Sequence, residues 1–426
     1  MSQIETDTLA APDVLSSQPT PRLFIADPGL EGIGGHHLEY TAAVATAALK
    51  RRLGVVVLTS RNFSGRLPNP RIVTRAAFNT RYQTSGGGGA ARSAIFGAAS
   101  YLPRPMAELV APPLRTLRRR LRGGKADTLA SELGAALAEF APAPRDQVLL
   151  HSVSGANLAS FAEGPTLGGA RLLIVLRRMP DEMEADDPAP EPLVRVFQRL
   201  QRRFGTRLRL FADTEELAAQ YAALLGLPVR PVPVPVVMPP MPARALAPCP
   251  HVVFAGGARL EKGYQHLPAA IDATAGRARF TVHSGRVDLT ADPLVQRAHR
   301  ELRGLRGDGL RLIEQPLETA EYAALLASAD LLLLPYDAAR YGARSSGIMA
   351  EAFALGVPAV VPADCWMESV AGPDRAVVIG SQGVTAALET ALAELPRLRA
   401  AARAAAPGWR KQHNPDALLA ALLRPP

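Results

Sequence analysis

The chain has 426 residues, 48% of them hydrophobic and 20% charged, which excludes a wholly disordered chain and suits two α/β domains of ordinary size. Two cysteines, Cys249 and Cys365, stand far apart, so neither a disulfide framework nor a thiolate zinc site is expected, and a reducing cytoplasm suits them. The net charge of +9 has one source: residues 61–125 hold thirteen Arg or Lys against the single acid Glu108, a surplus of +12 that leaves −3 for the rest.

Residues 1–20 are polar and acidic, without the basic start and apolar core of a secretion signal, and read as a disordered tail. From Arg22 onward, short β-branched or Leu-rich runs alternate with longer Ala/Leu/Arg segments of helical spacing, the pattern of parallel sheets covered by helices. The first six expected strands are RLFIADP from Arg22, VVVLTS from Val55, RIVTRAAF from Arg71, QVLLHS from Gln147, RLLIVLRR from Arg171 and RLRLFADT from Arg207. Behind the first lies GLEGIGGHHLEY. Its Gly34 and Gly35 let backbone approach a ligand, and His36 and His37 start a helix, either as caps or in contact with a ligand. The spacing is not GxGxxG, so a dinucleotide fingerprint is absent.

The tetraglycine in SGGGGA, from Ser85, has no side chains to pack and reads as a loop. In PRPMAELVAPPLRTLRRRLRGGK, Leu114, Leu117 and Leu121 lie among five arginines and form a short basic amphipathic helix suited to an anionic membrane surface. No aromatics interleave with that charge, which argues against nucleic acid. His151 ends QVLLHS, either packed at the strand end or turned toward a ligand. The acidic run MPDEMEADDP follows Arg177 and Arg178 without the DxD spacing of metal-dependent transferases, so no metal is expected.

Proline blocks both helix and central strand in LPVRPVPVPVVMPPMPARALAPCP, which places a linker at 237–250 between a domain at 21–236 and another at 251–408. Residues 409–426 are expected as a C-terminal helix packing back on the first domain. The second set of strands is HVVFAGG from His251, RFTVHSG from Arg279, RLIEQP from Arg311, DLLLLPY from Asp330, VPAVVP from Val357 and AVVIG from Ala376. Ligand is expected in the cleft between the domains, outside the carboxyl ends of the parallel strands.

Two stretches of the second domain carry candidate chemistry. In FAGGARLEKGYQHLPAAI, Gly256 and Gly257 allow close backbone approach, and Arg259 and Lys262 are either ordinary surface charges or a pair for a diphosphate. In RYGARSSGIMAEAFALGVPAVV, Ser346 is a helix N-cap, Gly347 to Leu355 the helix and Gly356 its stop. The open amides from Ser345 to Ile348 form an anion site. Glu351 lies one turn inside, suited either to the helix dipole or to sugar hydroxyls beside a phosphate.

Together GGARLEKG and SSGIMAEAFALGVPAVV, about ninety residues apart, resemble the C-terminal halves of the retaining glycosyltransferases of family 4. FADTEELAAQYAALLGLPVRPVPVPV and GLEGIGGHHLEY extend the likeness upstream. The resemblance implies the GT-B architecture, two Rossmann-like doubly wound parallel-sheet domains facing a central cleft. It also implies transfer of a sugar from a UDP- or GDP-sugar to a saccharide or lipid-linked hydroxyl acceptor, without a metal, in the cytoplasm or at the inner leaflet of the cell membrane. By the same likeness Arg259 and Lys262 hold the diphosphate, Glu351 takes the ribose and His151 touches the donor sugar. Gly256, Gly257, Arg344, Ser345, Ser346, Gly347 and Ile348 complete the donor site, and Gly34, Gly35, His36 and His37 form the acceptor or sugar loop. Where the family commonly has a second acid, eight residues before the ribose Glu, this chain has Ala343. A sugar-nucleotide epimerase and a non-catalytic nucleotide-sugar-binding subunit are the alternatives.

Overall fold

The computed structural model describes residues 20–31, 36–79, 128–164, 167–186, 189, 191–238, 240, 245–285, 287, 292–307 and 309–425. The N-terminal tail, the tetraglycine and the basic amphipathic segment lie outside the described residues.

Seven strands make the first sheet: β1 (Arg22–Asp27), β2 (Gly54–Ser60), β3 (Val73–Phe78), β4 (Gln147–Leu150), β5 (Arg171–Leu176), β6 (Leu208–Ala212) and β7 (Val229–Pro231). All pair in parallel, in the order β3-β2-β1-β4-β5-β6-β7. The helices among the described residues of this half are α1 (His36–Lys50), α2 (Leu129–Ala138), α3 (Gly155–Glu163), α4 (Pro180–Asp186), α5 (Leu193–Phe204) and α6 (Glu215–Leu225). Alternation along β1 shows why both faces must be covered: Phe24 and Ala26 join one apolar core, Leu23 and Ile25 the other.

The second sheet has β8 (His251–Phe254), β9 (Arg279–His283), β10 (Leu310–Ile313), β11 (Leu331–Leu333), β12 (Ala359–Pro362) and β13 (Ala376–Ile379), all parallel, in the order β10-β9-β8-β11-β12-β13. Its helices are α7 (Leu267–Ala273), α8 (Pro293–Gly304), α9 (Thr319–Ser328), α10 (Ala338–Tyr341), α11 (Gly347–Ala354), α12 (Trp366–Arg375), α13 (Gly383–Ala393) and α14 (Leu395–Gln412). Again the core is double, with Val252 and Phe254 on one face of β8 and Val253 and Ala255 on the other. Strand order reverses beside β1 and β4 in the first sheet and beside β8 and β11 in the second. Loops on either side of such a reversal part from each other and leave a crevice.

Two crossings join the halves. Val232 still donates to Ala212 of β6, whereas Val234 and Val236 pack in the core of the second domain. At the other crossing α14 runs through residue 409, where Trp409 packs edge-on against Phe353 and donates to the Ala350 carbonyl at 2.8 Å. The chain returns in α15 (Pro415–Leu423), capped by Asn414, whose Leu418, Leu419 and Leu422 enter the core that α1 shares with β1 and β2. Leu419→Ala should therefore lower unfolding stability by about 2–5 kcal/mol, the usual cost of a large buried side chain. An unchanged urea midpoint would show that α15 contributes nothing at this seam.

Candidate functional site

Both reversals of strand order open toward one seam, and the sequence-expected residues of the second domain gather there. Beyond β8 the chain turns at Gly257 (φ +74°), and Ala258 donates to the Ser284 carbonyl at 2.9 Å. A single 3-10 turn, Leu260–Lys262, then ends at Gly263 (φ +70°), where an added Cβ would stand 1.7 Å from the Pro335 carbonyl. Only glycine lets this turn press so closely on the segment that follows β11.

The pressing buries Lys262, which is 9% exposed. Its Nζ lies 3.9 Å from the ring centre of Tyr336 and 4.6 Å from that of Tyr341, and among the described residues no carboxylate is within ion-pair distance. Burial, with Arg259 and Arg344 nearby, holds its ammonium well below the ordinary lysine range. Arg259 is half exposed, with Nη1 3.5 Å from Glu261 Oε1. Arg344 stacks on the other contact of the cage, its Cζ 4.8 Å from the Tyr341 ring centre.

Residues 342–346 lead from α10 into α11. Ser346 has the extended backbone of an N-cap, and its hydroxyl accepts from the Met349 amide at 3.3 Å. The amides of Gly347 and Ile348 are left for an external acceptor, at the positive end of the helix. One turn inside, Glu351 Oε2 accepts from the Tyr322 hydroxyl at 2.9 Å. Burial, reinforced by Glu39 of α1, pushes the Glu351 carboxyl up to about 7.

In the first domain the ends of β1 and β4 share a buried hydrogen-bond network. Asp27 Oδ1 accepts from the Gly29 amide at 3.0 Å and lies 2.9 Å from His37 Nδ1, while Oδ2 accepts from the Thr41 hydroxyl at 2.9 Å and lies 3.2 Å from His151 Nε2. Burial alone would raise this carboxyl; His151 and then His37 draw it well below the usual range. His151 is 1% exposed, with Nδ1 3.3 Å from the Ser152 hydroxyl, and its own pKa is lowered because burial outweighs Asp27. Tyr40 covers the imidazole at 4.4 Å between ring centres. Gly34 and Gly35 and the side chain of His36 lie outside the described residues.

Three contacts tie the loop before α11 to the first domain. Thr214 donates to the Ala343 carbonyl at 2.6 Å, Arg344 Nη1 to Glu182 Oε1 at 2.7 Å, and the Ser345 hydroxyl to Asp213 Oδ2 at 2.6 Å. Ala343 is 2% exposed and packs with the apolar core of the first domain. The position without an acid is thus filled by the seam itself. The acidic run after Arg178 supplies α4, and its Glu182 meets arginine across that seam. Among the described residues no group of three or more His, Cys, Asp or Glu side chains is arranged for a metal ion, and no helix is long and apolar enough to cross a membrane.

Sequence reasoning passed over Asp27, Tyr40, Glu182, Asp213, Tyr322, Tyr336 and Tyr341. For three of them a signal was present: Asp27, Asp213 and Tyr336 each close an apolar strand run with a polar group, at the end where parallel sheets bind ligands. The arrangement offers open amides and two to three cations for an anion, with carboxylates beside them for hydroxyl groups.

Two outcomes follow from this geometry. Ala343→Glu puts a carboxylate among apolar side chains and should cost roughly 3 kcal/mol or more, read as a fall in Tm; an unaltered Tm would contradict the packing of the seam. Because the Glu351 carboxyl rises from 4.5 to about 7 on folding, it favours the folded state fully below pH 4.5 and loses that contribution as pH rises through 7. Glu351→Gln should accordingly gain stability on wild type between pH 5 and pH 8, a trend checked by urea midpoints at the two values; a constant difference would refute the assigned shift.

No protein-family model matches the chain, and no curated protein does. Solved structures do. Sucrose-phosphate synthase from Thermosynechococcus elongatus aligns with a TM-score of 0.60 at 15% identity, over 94% of this chain and 96% of that one. WaaG, a glycosyltransferase involved in lipopolysaccharide biosynthesis, aligns with a TM-score of 0.52 at 14% identity, over 93% and 97%. Anabaena HepE in complex with UDP and glucose aligns with a TM-score of 0.58 at 13% identity, over 93% and 96%. Such identities establish the fold alone: the chain has the two-domain GT-B architecture along almost its whole length.

Proposed function

We propose that the protein is a glycosyltransferase that moves a sugar from a UDP- or GDP-sugar to a hydroxyl of a saccharide or lipid-linked acceptor, with retention at the anomeric carbon. The observation that carries this reading is Lys262, a buried side chain caged by two tyrosines with no carboxylate within ion-pair distance among the described residues, facing the same seam as the open amides of α11. A cation kept out of water without a counter-ion is a demand for an anion. Glu351, one turn inside α11, accepts hydroxyls and would repel phosphate, a division of labour that suits the ribose and diphosphate of a nucleotide. HepE, which shares the fold, is bound to UDP and glucose.

In this reading the acceptor oxygen bonds to the anomeric carbon from the same face on which the bond from that carbon to the diphosphate oxygen breaks, which keeps the configuration. The electron pair stays on the diphosphate, and the acceptor proton leaves with it or to solvent. Arg259, Lys262 and the amides of Gly347 and Ile348 stabilise the charge that develops there. Arg344 and Ser345 hold the loop in place, Gly257 leaves room for the nucleotide, and Gly256 lets the Phe254 ring pack against the loop. His151, enclosed by Asp27, Thr41, Ser152 and Tyr40, acts as a positioning residue for His37 and the loop after β1. The basic segment 61–125 brings the enzyme to an anionic inner leaflet, where each basic residue near the surface adds about 1 kcal/mol.

A thermal-shift panel of UDP, GDP, ADP and their sugars tests the donor site. One nucleotide series should raise Tm, with a stabilisation of about 2.7 kcal/mol when ligand stands at one hundred times its Kd. Arg259→Ala and Lys262→Ala should each reduce that shift. No shift with any nucleotide in wild type, or undiminished shifts in both variants, refutes the assignment. Turnover with an acceptor separates a transferase from a nucleotide-sugar-binding subunit, and release of an epimerised sugar nucleotide without acceptor would mark an epimerase.

A further inference from the structure

The carboxyl ends of β5 and β6 hold a polar cluster that the donor site described above does not use. Asp213 follows β6, Arg177 follows β5, and Tyr40 lies near the start of α1. Arg177 Nε is 3.7 Å from Asp213 Oδ2, and its Cζ lies 4.3 Å from the Tyr40 ring centre. Ser345 occupies Oδ2 of the same carboxylate. Asp213 Oδ1, the Tyr40 hydroxyl and Arg177 Nε are all buried, and none has a hydrogen-bond partner among the described residues.

Leaving one such group unpaired costs about 1–3 kcal/mol, so three in one place mark a demand for partners that the described residues do not supply. Asp213 is 7% exposed, and burial pushes its carboxyl up. Burial likewise pushes the Tyr40 phenol up to about 12, so it keeps its proton and can donate it in a hydrogen bond. An acceptor, a phenol and a guanidinium side by side suit a ligand with several hydroxyl groups; a simple anion would be repelled by the acid.

Position narrows the ligand further. Ser345 touches Asp213 with its side chain and leads directly into Ser346 and the open amides of α11. A group joined to a phosphate held on those amides is thus within one residue's reach of the cluster.

We propose that Asp213, Tyr40 and Arg177 form a hydroxyl-reading site for the sugar ring carried by the donor diphosphate, with Asp213 accepting from ring hydroxyls and Tyr40 and Arg177 donating to ring oxygens. The proposal rests on the donor-site reading above. It assigns sugar selectivity to the first domain, while the second domain holds the nucleotide.

Titration calorimetry on the full chain separates the two readings. The probes are UDP, GDP and ADP, each against UDP-glucose, GDP-mannose and ADP-glucose. Wild type should bind one nucleotide sugar more tightly than its bare nucleotide. Tyr40→Phe, which is near-isosteric and spares the Ser345 contact, should weaken that nucleotide sugar roughly tenfold and leave the bare nucleotide within about twofold, and Asp213→Asn should weaken the nucleotide sugar more than the bare nucleotide. Equal losses for both ligands would make the cluster a domain clamp and overturn the proposal, as would an unchanged sugar preference in both variants or its absence in wild type. If wild type binds no nucleotide at all, the donor-site reading fails and this one with it; if nucleotide binding falls in Lys262→Ala but sugar preference ignores Asp213 and Tyr40, only this one fails.

Discussion

A buried lysine with no carboxylate within ion-pair distance among the described residues sets the terms for the whole cleft. Lys262 is placed by a turn that closes only because Gly263 has no side chain to meet Pro335, and two tyrosine rings take the place of solvent around it. Aromatic faces attract a cation but do not neutralise it. The positive field left over adds to that of Arg259 nearby and to the amides at the start of α11, so positive potential gathers at this edge of the second domain.

The same loop that ends in those amides also joins the domains. Ala343, Arg344 and Ser345 each contact a different residue of the first domain, at Thr214, Glu182 and Asp213, immediately before Ser346 caps the helix. Because these contacts come from consecutive residues, the orientation of the helix mouth and the position of the first domain cannot vary independently. A ligand held at the mouth therefore meets the ends of β5 and β6 at a defined distance, and Ala343 is small because its side chain is inside the partner core.

Much of the second domain's part of the candidate site was legible in the sequence because its determinants are local. Ser346 as cap, Gly356 as stop and Glu351 one turn inside follow from residue types within a dozen positions, and the structure places each where its type demands. Both sheets were legible as well, since parallel strands buried on two faces must be nearly continuous apolar runs. What was not legible depends on distant pairings. Asp27 ends an apolar run like several others, and nothing near it in the chain names Thr41 or His151, whose contact with each other spans 110 residues. Lys262 likewise reads as a loop cation; its cage comes from Tyr336 and Tyr341, across the switch from β8 to β11.

By itself, then, the sequence determined the two parallel α/β sheets and the helix mouth with its acid, because periodicity, capping and turn chemistry act over a few residues. Only the tertiary structure decided that Lys262 has no ion pair, and that Asp213, Tyr40 and Arg177 keep polar atoms unpaired, among the described residues, and that Ala343 fills the seam. Burial and charge compensation are properties of what surrounds a group, and those surroundings are assembled from segments that the chain brings together only when it folds.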